Sequence, residues 1–159
     1  MSDINMFTPL WGVWEIESTI GEGSFGKVYK AYREEFGQRY TCAIKHISLP
    51  QSEAEIKQVL DEHMTNDTSF ASDYYTQFVE AITDEIKIKH SLRGNTNIVS
   101  YEDHLIIPKI TGIGYDIFIR MELLTELSKR VIEAEFMESD VIKLGVDICT
   151  ALEVCPQKI

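Results

Sequence analysis

Ile20-Gly21-Glu22-Gly23-Ser24-Phe25-Gly26-Lys27-Val28-Tyr29-Lys30-Ala31, IGEGSFGKVYKA, decides the fold, because it fits more than one pattern of phosphate-binding loop. Gly21, Gly23 and Gly26 stand at G-x-G-x-x-G spacing, while Gly21 with Lys27 nearly completes G-x-x-x-x-G-K. Each pattern demands a different continuation of the chain, so the flanks choose between them.

The G-x-x-x-x-G-K loop needs Ser or Thr directly after its Lys to ligate magnesium, and a following helix whose first amides complete the phosphate cradle. Position 28 is Val28, and Val28 to Arg33 alternates into the charged, Gly-containing turn Glu34-Glu35-Phe36-Gly37-Gln38, which predicts a hairpin instead of a helix. A dinucleotide turn needs the same helix and an acidic residue about twenty positions further on, whereas Arg39 to Ser52 contains no Asp or Glu. Neither pattern survives its flank.

Gln38 to Ile47 reads as a third strand. Its period of two places Ala43 and Lys45 on one face and Cys42 and Ile44 on the other, so a small residue can roof a flat base while an ammonium reaches beyond it. Side chains missing at Gly21, Gly23 and Gly26 let backbone N–H groups of the loop tip approach phosphate oxygens. IGEGSFGKVYKA followed by Cys42-Ala43-Ile44-Lys45 resembles the N-terminal lobe of the eukaryotic-like protein kinases, and is most similar to the bacterial Ser/Thr protein kinases. The resemblance runs from about Trp14 to the C-terminus. It implies an α+β fold in which a five-stranded antiparallel sheet carries a packed helix and is followed by helices of a larger lobe.

The resemblance also implies ATP as the ligand. Ile20 and Val28 would cover the base, the turn Gly21, Gly23, Ser24, Phe25 and Gly26 would hold the phosphates, and Ala43 and Lys45 would line the sheet side. A phosphate-binding Lys needs a carboxylate to orient it. In Asp73 to Leu92 the residues Phe78, Ile82, Ile86 and Leu92 fall near one helical face, and Glu85 lies within that stripe as the expected partner of Lys45. The connection Ser48 to Ser72 is longer than in most kinases and contains an amphipathic stretch, Glu53 to Leu60, so an insertion is expected at about 48–72. Runs 98–107 and 115–124 predict a hairpin that completes the sheet. The second ends Met121-Glu122-Leu123-Leu124, similar to the kinase hinge: Met121 at the back of the pocket, the Glu122 carbonyl and the Leu124 N–H on the adenine edge.

Composition bounds the alternatives. The 159 residues are 44% hydrophobic and carry a formal net charge of −11, which suits one compact domain and argues against nucleic acid as a partner. Cys42, Cys149 and Cys155 lie in apolar runs without metal-ligand spacing and read as small buried hydrophobes, with no metal site. His46, His63, His90 and His104 are scattered among charged residues and read as surface or boundary positions. Trp11 and Trp14 read as packing residues on the flank of the sheet. Asp3 replaces a basic leader, and nowhere do eighteen apolar residues run together, so a cytoplasmic chain without a membrane segment is expected.

The catalytic half of the family pattern has no counterpart here. There is no His-Arg-Asp loop, no Asp-Phe-Gly, and no Asn beyond Asn97, so no residue takes the catalytic Asp role and Mg²⁺ is expected only with a complete kinase domain. The expected organisation is an N-terminal extension at 1–13, an ATP-binding lobe at 14–124, and the hinge exit with the first helices of an incomplete lobe at 125–159. The chain is thus expected to be the ATP-binding part of a Ser/Thr protein kinase, inactive by itself, whose complete form phosphorylates protein hydroxyls. The alternative is a non-catalytic nucleotide-binding or docking module. Either way, the apolar stripe of the helix predicted at 139–155 is expected to fold back, stay exposed, or self-associate.

Overall fold

The computed structural model describes residues 4–24, 26–110, 112–133 and 136–155. Phe25 of the predicted phosphate turn lies outside the described residues, as do the two ends of the chain and residues 134–135. After a 3-10 turn at Ile4–Phe7 come strands β1 (Glu15–Gly23), β2 (Gly26–Glu35) and β3 (Gln38–Leu49), helices α1 (Glu53–Glu62) and α2 (Thr68–Ser91), strands β4 (Tyr101–Pro108) and β5 (Tyr115–Met121), and helices α3 (Leu127–Glu133) and α4 (Glu138–Val154). The five strands form one sheet in the order β1-β2-β3-β5-β4, antiparallel at every junction. The fold is α+β.

Local chemistry sets the turns. Phe36 and Gly37 join β2 to β3 with φ of 50° and 76°, and Glu35 pairs with Gln38. Left-handed backbone at both loop positions matches the twist of a tight hairpin, and Gly37 adopts it without a Cβ clash. The helix predicted to start at Asp73 starts at Thr68, because the Asp67 carboxylate accepts the Ser69 N–H at 2.9 Å and caps the first turn. Its last turn carries Lys89 and His90, as the helix dipole favours. The amphipathic stretch of the connection forms α1, capped by the Ser52 hydroxyl accepting from the Glu55 N–H.

The sheet has two covered faces. On one, Ile47, Ile117 and Ile119 pack with Val79 and Ile86 of α2, with Ile82 and Met121 at the edge. On the other, Tyr29, Ala31, Cys42, Ile44 and Phe118 are roofed by the N-terminal segment, where Ile4, Leu10 and Trp14 are buried in the same cluster. Residues 4–14 are therefore a layer of this domain's core. Trp14 lies on the face of the sheet, where Arg33 and Arg120 approach its ring at 5.4 and 5.1 Å.

Two expectations about single residues are corrected here. His46 is a core residue, wholly buried, with Nε2 2.7 Å from Oδ1 of Asp116 and its ring stacked 4.6 Å from Phe118. It shares the even register of Cys42 and Ile44, so strand alternation outweighs the polarity of an imidazole that finds a carboxylate. Of the cysteines only Cys42 is buried, its thiol pushed up to about 12 chiefly by desolvation, whereas Cys149 and Cys155 on and after α4 are exposed. The apolar character of that helix did not translate into burial, because little is packed against it.

Candidate functional site

Register assembles the face on which ligand-binding residues were expected. Val28 is directly opposite Lys45, Ala43 opposite Met121, and Lys45 opposite Ile119. Cross-strand partners project to the same side. Val28, Ala43, Lys45 and Met121 therefore share one face, the one that α2 covers further along β3 through Ile47. Lys45 is half-buried at the point where that cover begins.

The β1–β2 hairpin closes beside this part of β3, one residue beyond the Lys27–His46 pair. Gly23 pairs with Gly26, and Glu22 with Lys27, whose ammonium lies 3.3 Å from the Glu22 carboxylate. Gly26 is held at φ 134°, and a Cβ placed there would come within 2.0 Å of the His46 carbonyl oxygen. This close approach of the turn to β3 admits only glycine. Gly21 meets nothing nearer than Val28 Cβ at 3.8 Å, and Gly23 meets nothing within 4 Å. Ile20 is the extra residue of a bulge between the pairs Thr19–Tyr29 and Gly21–Val28. A bulge re-aims a side chain, and Ile20 lines an open cleft of about 380 Å³ with Lys30, Leu123, Leu124, Glu126 and Lys129.

Beyond Met121 the chain leaves the sheet in extended form. The Glu122 N–H donates to the Ser100 carbonyl at 3.1 Å, and the Glu122 carboxylate accepts the Ser100 N–H at 2.5 Å. Both bonds pin residue 122 to the start of β4. Among the described residues the Glu122 carbonyl and the Leu124 N–H have no hydrogen-bond partner, and Leu124 is exposed. These are the two backbone groups that the hinge resemblance assigns to an adenine edge. The stapling role of the Glu122 side chain was not read from the sequence, where a Glu in a hinge gives no sign of its partner.

Glu85 is not brought to Lys45. Its carboxylate lies 2.6 Å from Lys89, one helical turn on, with 62% of the side chain exposed. The buried line of α2 runs through Ala71, Tyr75, Val79 and Ile86. At 100° per residue that line leaves Glu85 on its shoulder, about a quarter-turn away and beside the half-exposed Phe78. The sequence stripe was centred about 45° away by counting Phe78 and Leu92 as core. Neither Glu80 nor Asp84 takes the place of Glu85; Asp84 pairs with Lys87 at 2.8 Å. Among the described residues no carboxylate pairs with Lys45, and no cluster of three potential metal ligands occurs.

Two further clefts flank the sheet. One, of about 210 Å³, lies between α1 and α2, with Leu49, Val59, Tyr75 and Phe78 in its walls and Glu55 and Glu62 at its rim. The other, about 410 Å³, separates Ile98, Val99 and Leu124 from Leu144, Ile148 and Leu152 of α4. No described helix is long and apolar enough to cross a membrane. Compared with protein families and with curated proteins, the chain matches none.

Proposed function

We propose that residues 14–124 are the nucleotide-binding lobe of a Ser/Thr protein kinase and hold ATP between the β1–β2 hairpin, the Ala43–Lys45 face and the hinge. One observation carries the reading: the register that sets Val28, Ala43, Met121 and Lys45 on one side of the sheet, next to a glycine turn. Val28 and Ala43 supply a flat apolar slot for a purine, Lys45 supplies a positive charge at its far end, and the hinge offers one acceptor and one donor. Gly21 and Gly23 have no steric partner within the protein that requires glycine, so their bare backbone is room for an anion. A cytoplasmic location, where ATP is abundant, accords with this reading.

The lobe binds and orients; it lacks the group that would position an attacking hydroxyl. Binding alone does not lower a barrier. The 159-residue chain is therefore expected to bind ATP weakly and transfer no phosphate to protein, while a complete kinase of this type would use protein hydroxyls as substrates. Calorimetric titration with ATP tests the binding, and Lys45→Ala should weaken it about tenfold or more, the equivalent of about 1.4 kcal/mol for one lost charge-assisted contact. Affinity that ignores Lys45 would sink the proposal. The pairing of Glu85 with Lys89 favours a second reading, a non-catalytic module that keeps the pocket for docking. Lys45-dependent autophosphorylation would exclude that module and would also overturn the expectation that this chain transfers no phosphate.

A further inference from the structure

We infer that Gln51 is a positioning residue which ties the phosphate turn to the inserted helix α1, so that the insertion sets the height of the turn above Lys45. The inference rests on the nucleotide reading for its functional consequence, but its geometry stands alone. The Gln51 side-chain amide donates to the Ser24 carbonyl at 2.7 Å, across 27 residues of chain. The Gln51 backbone N–H donates to the Glu55 carboxylate at 2.8 Å, in the first turn of α1. Next to it, the Lys109 ammonium donates to the Pro50 carbonyl at 2.5 Å. One residue thus receives an anchor from α1 and hands a bond to the turn.

The bond falls where the turn is otherwise least supported. Gly26 seats the closing pair of the hairpin against His46, and the Glu22–Lys27 pair joins its two strands, but neither holds the Ser24 carbonyl. Ser24 lies beyond the last ladder pair of the hairpin, where strand pairing no longer supports the chain. By taking the Ser24 carbonyl, Gln51 holds the Ser24 end of the turn at a fixed distance from the start of α1. A phosphate turn works through the direction of its N–H groups. Holding the tip beforehand lowers the ordering cost of binding.

The test compares Gln51→Met, equal in length but without a donor, with Gln51→Lys, which restores a donor of similar reach. Gln51 is exposed, so neither change disturbs a core. In the full chain, amide exchange at Ser24 and Lys27 should rise several-fold in Gln51→Met while the exchange of β3 is unchanged, and should return towards wild type in Gln51→Lys. ATP affinity should fall several-fold in Gln51→Met and adenosine affinity should not, because adenosine does not reach the turn. Glu55→Ala should have the same effect, and the double variant should be no worse than either single one. Unchanged exchange at Ser24 in Gln51→Met overturns the inference, as do additive effects of the two single variants. A wild-type chain that binds no ATP overturns the nucleotide reading instead, and the exchange measurement still decides whether Gln51 holds the turn.

Discussion

Gly26 and Gly23 share one motif but answer to different causes. A methyl group at Gly26 would collide with the His46 carbonyl at 2.0 Å in a backbone conformation at φ 134° that L-residues rarely adopt, so Gly26→Ala should lose stability. The backbone strain alone is worth about 1–3 kcal/mol, visible as a lower thermal midpoint. Gly23→Ala has open space and should leave the midpoint unchanged while weakening ATP binding. A Gly23→Ala chain with unaltered ATP affinity would show that the turn does not approach phosphate. The buried pair below the turn makes a second residue-scale prediction. Burial pushes the Asp116 carboxyl up, but the hydrogen bond from His46, the nearby Ser48 hydroxyl, and the charges of His46 and Lys109 outweigh this and hold it below its ordinary value. A carboxyl depressed in the folded state stabilises the fold above its unfolded value of about 4, and that contribution is lost as pH falls through the lower folded value. His46→Leu should therefore cost about 3–5 kcal/mol at neutral pH by removing the imidazole that pairs with the buried carboxylate at 2.7 Å. It should also flatten the acid side of the stability curve, measured as urea midpoints from pH 5 down to pH 2. Equal acid slopes in the two proteins would assign that slope to other carboxylates.

Among the elements, α2 shows how an amphipathic pattern can be right in kind and wrong in phase. Phe78 seemed to belong with Ile82 and Ile86, yet it looks towards α1, and the core line passes through Tyr75 and Val79. Nothing in the sequence announced that α1 would offer Phe78 a second apolar neighbour. Glu85 moved to the shoulder with that rotation. Glu85 pairs with Lys89 and not with Lys45, so Glu85→Gln should leave ATP affinity near wild type. If Glu85→Gln weakens ATP binding as much as Lys45→Ala, then α2 turns when nucleotide binds and the pair forms only then. The strands were legible because alternation and turn residues are local: Val28 to Arg33, the Phe36-Gly37 turn and the Ala43–Lys45 face follow from neighbours in the chain. The Gln51 bond, the Glu122 staple and the His46–Asp116 pair were not legible, since each joins residues more than twenty positions apart and depends on sheet order. The cap at Asp67 was a readable signal that the longer apolar pattern from Asp73 obscured.

For the molecule as a whole, the balance lies between an apolar helix and a large negative charge. Val141, Ile142, Val146, Ile148 and Leu152 of α4 are between 50% and 66% exposed, while only Leu144, Asp147 and Ala151 reach half-burial beside the cleft. Each large aliphatic side chain gains about 1.5–3 kcal/mol when fully buried, so several of them together rival the roughly 5–15 kcal/mol stability of a small domain. Contact between copies through α4 is therefore favoured by burial. The net charge of −11 opposes it, and Glu138, Asp140, Asp147 and Glu153 on the same helix add local repulsion against the lone Lys143. Repulsion between exposed charges is screened within about 10 Å at 0.1 M salt, whereas burial of apolar surface is not weakened by salt. Burial should consequently win as ionic strength rises. Sedimentation at a fixed protein concentration should show a mostly monomeric chain at low salt and a growing associated fraction between roughly 0.05 and 0.5 M salt, with binding of an apolar dye at the low-salt end. Ile148→Glu with Leu152→Glu should abolish both signals and leave the unfolding of the sheet unchanged, because α4 contributes no residue to either core cluster. A chain that stays monomeric across that range and binds no dye would mean that α4 closes the cleft against Ile98, Val99 and Leu124 in solution, with its apolar stripe turned to the lobe.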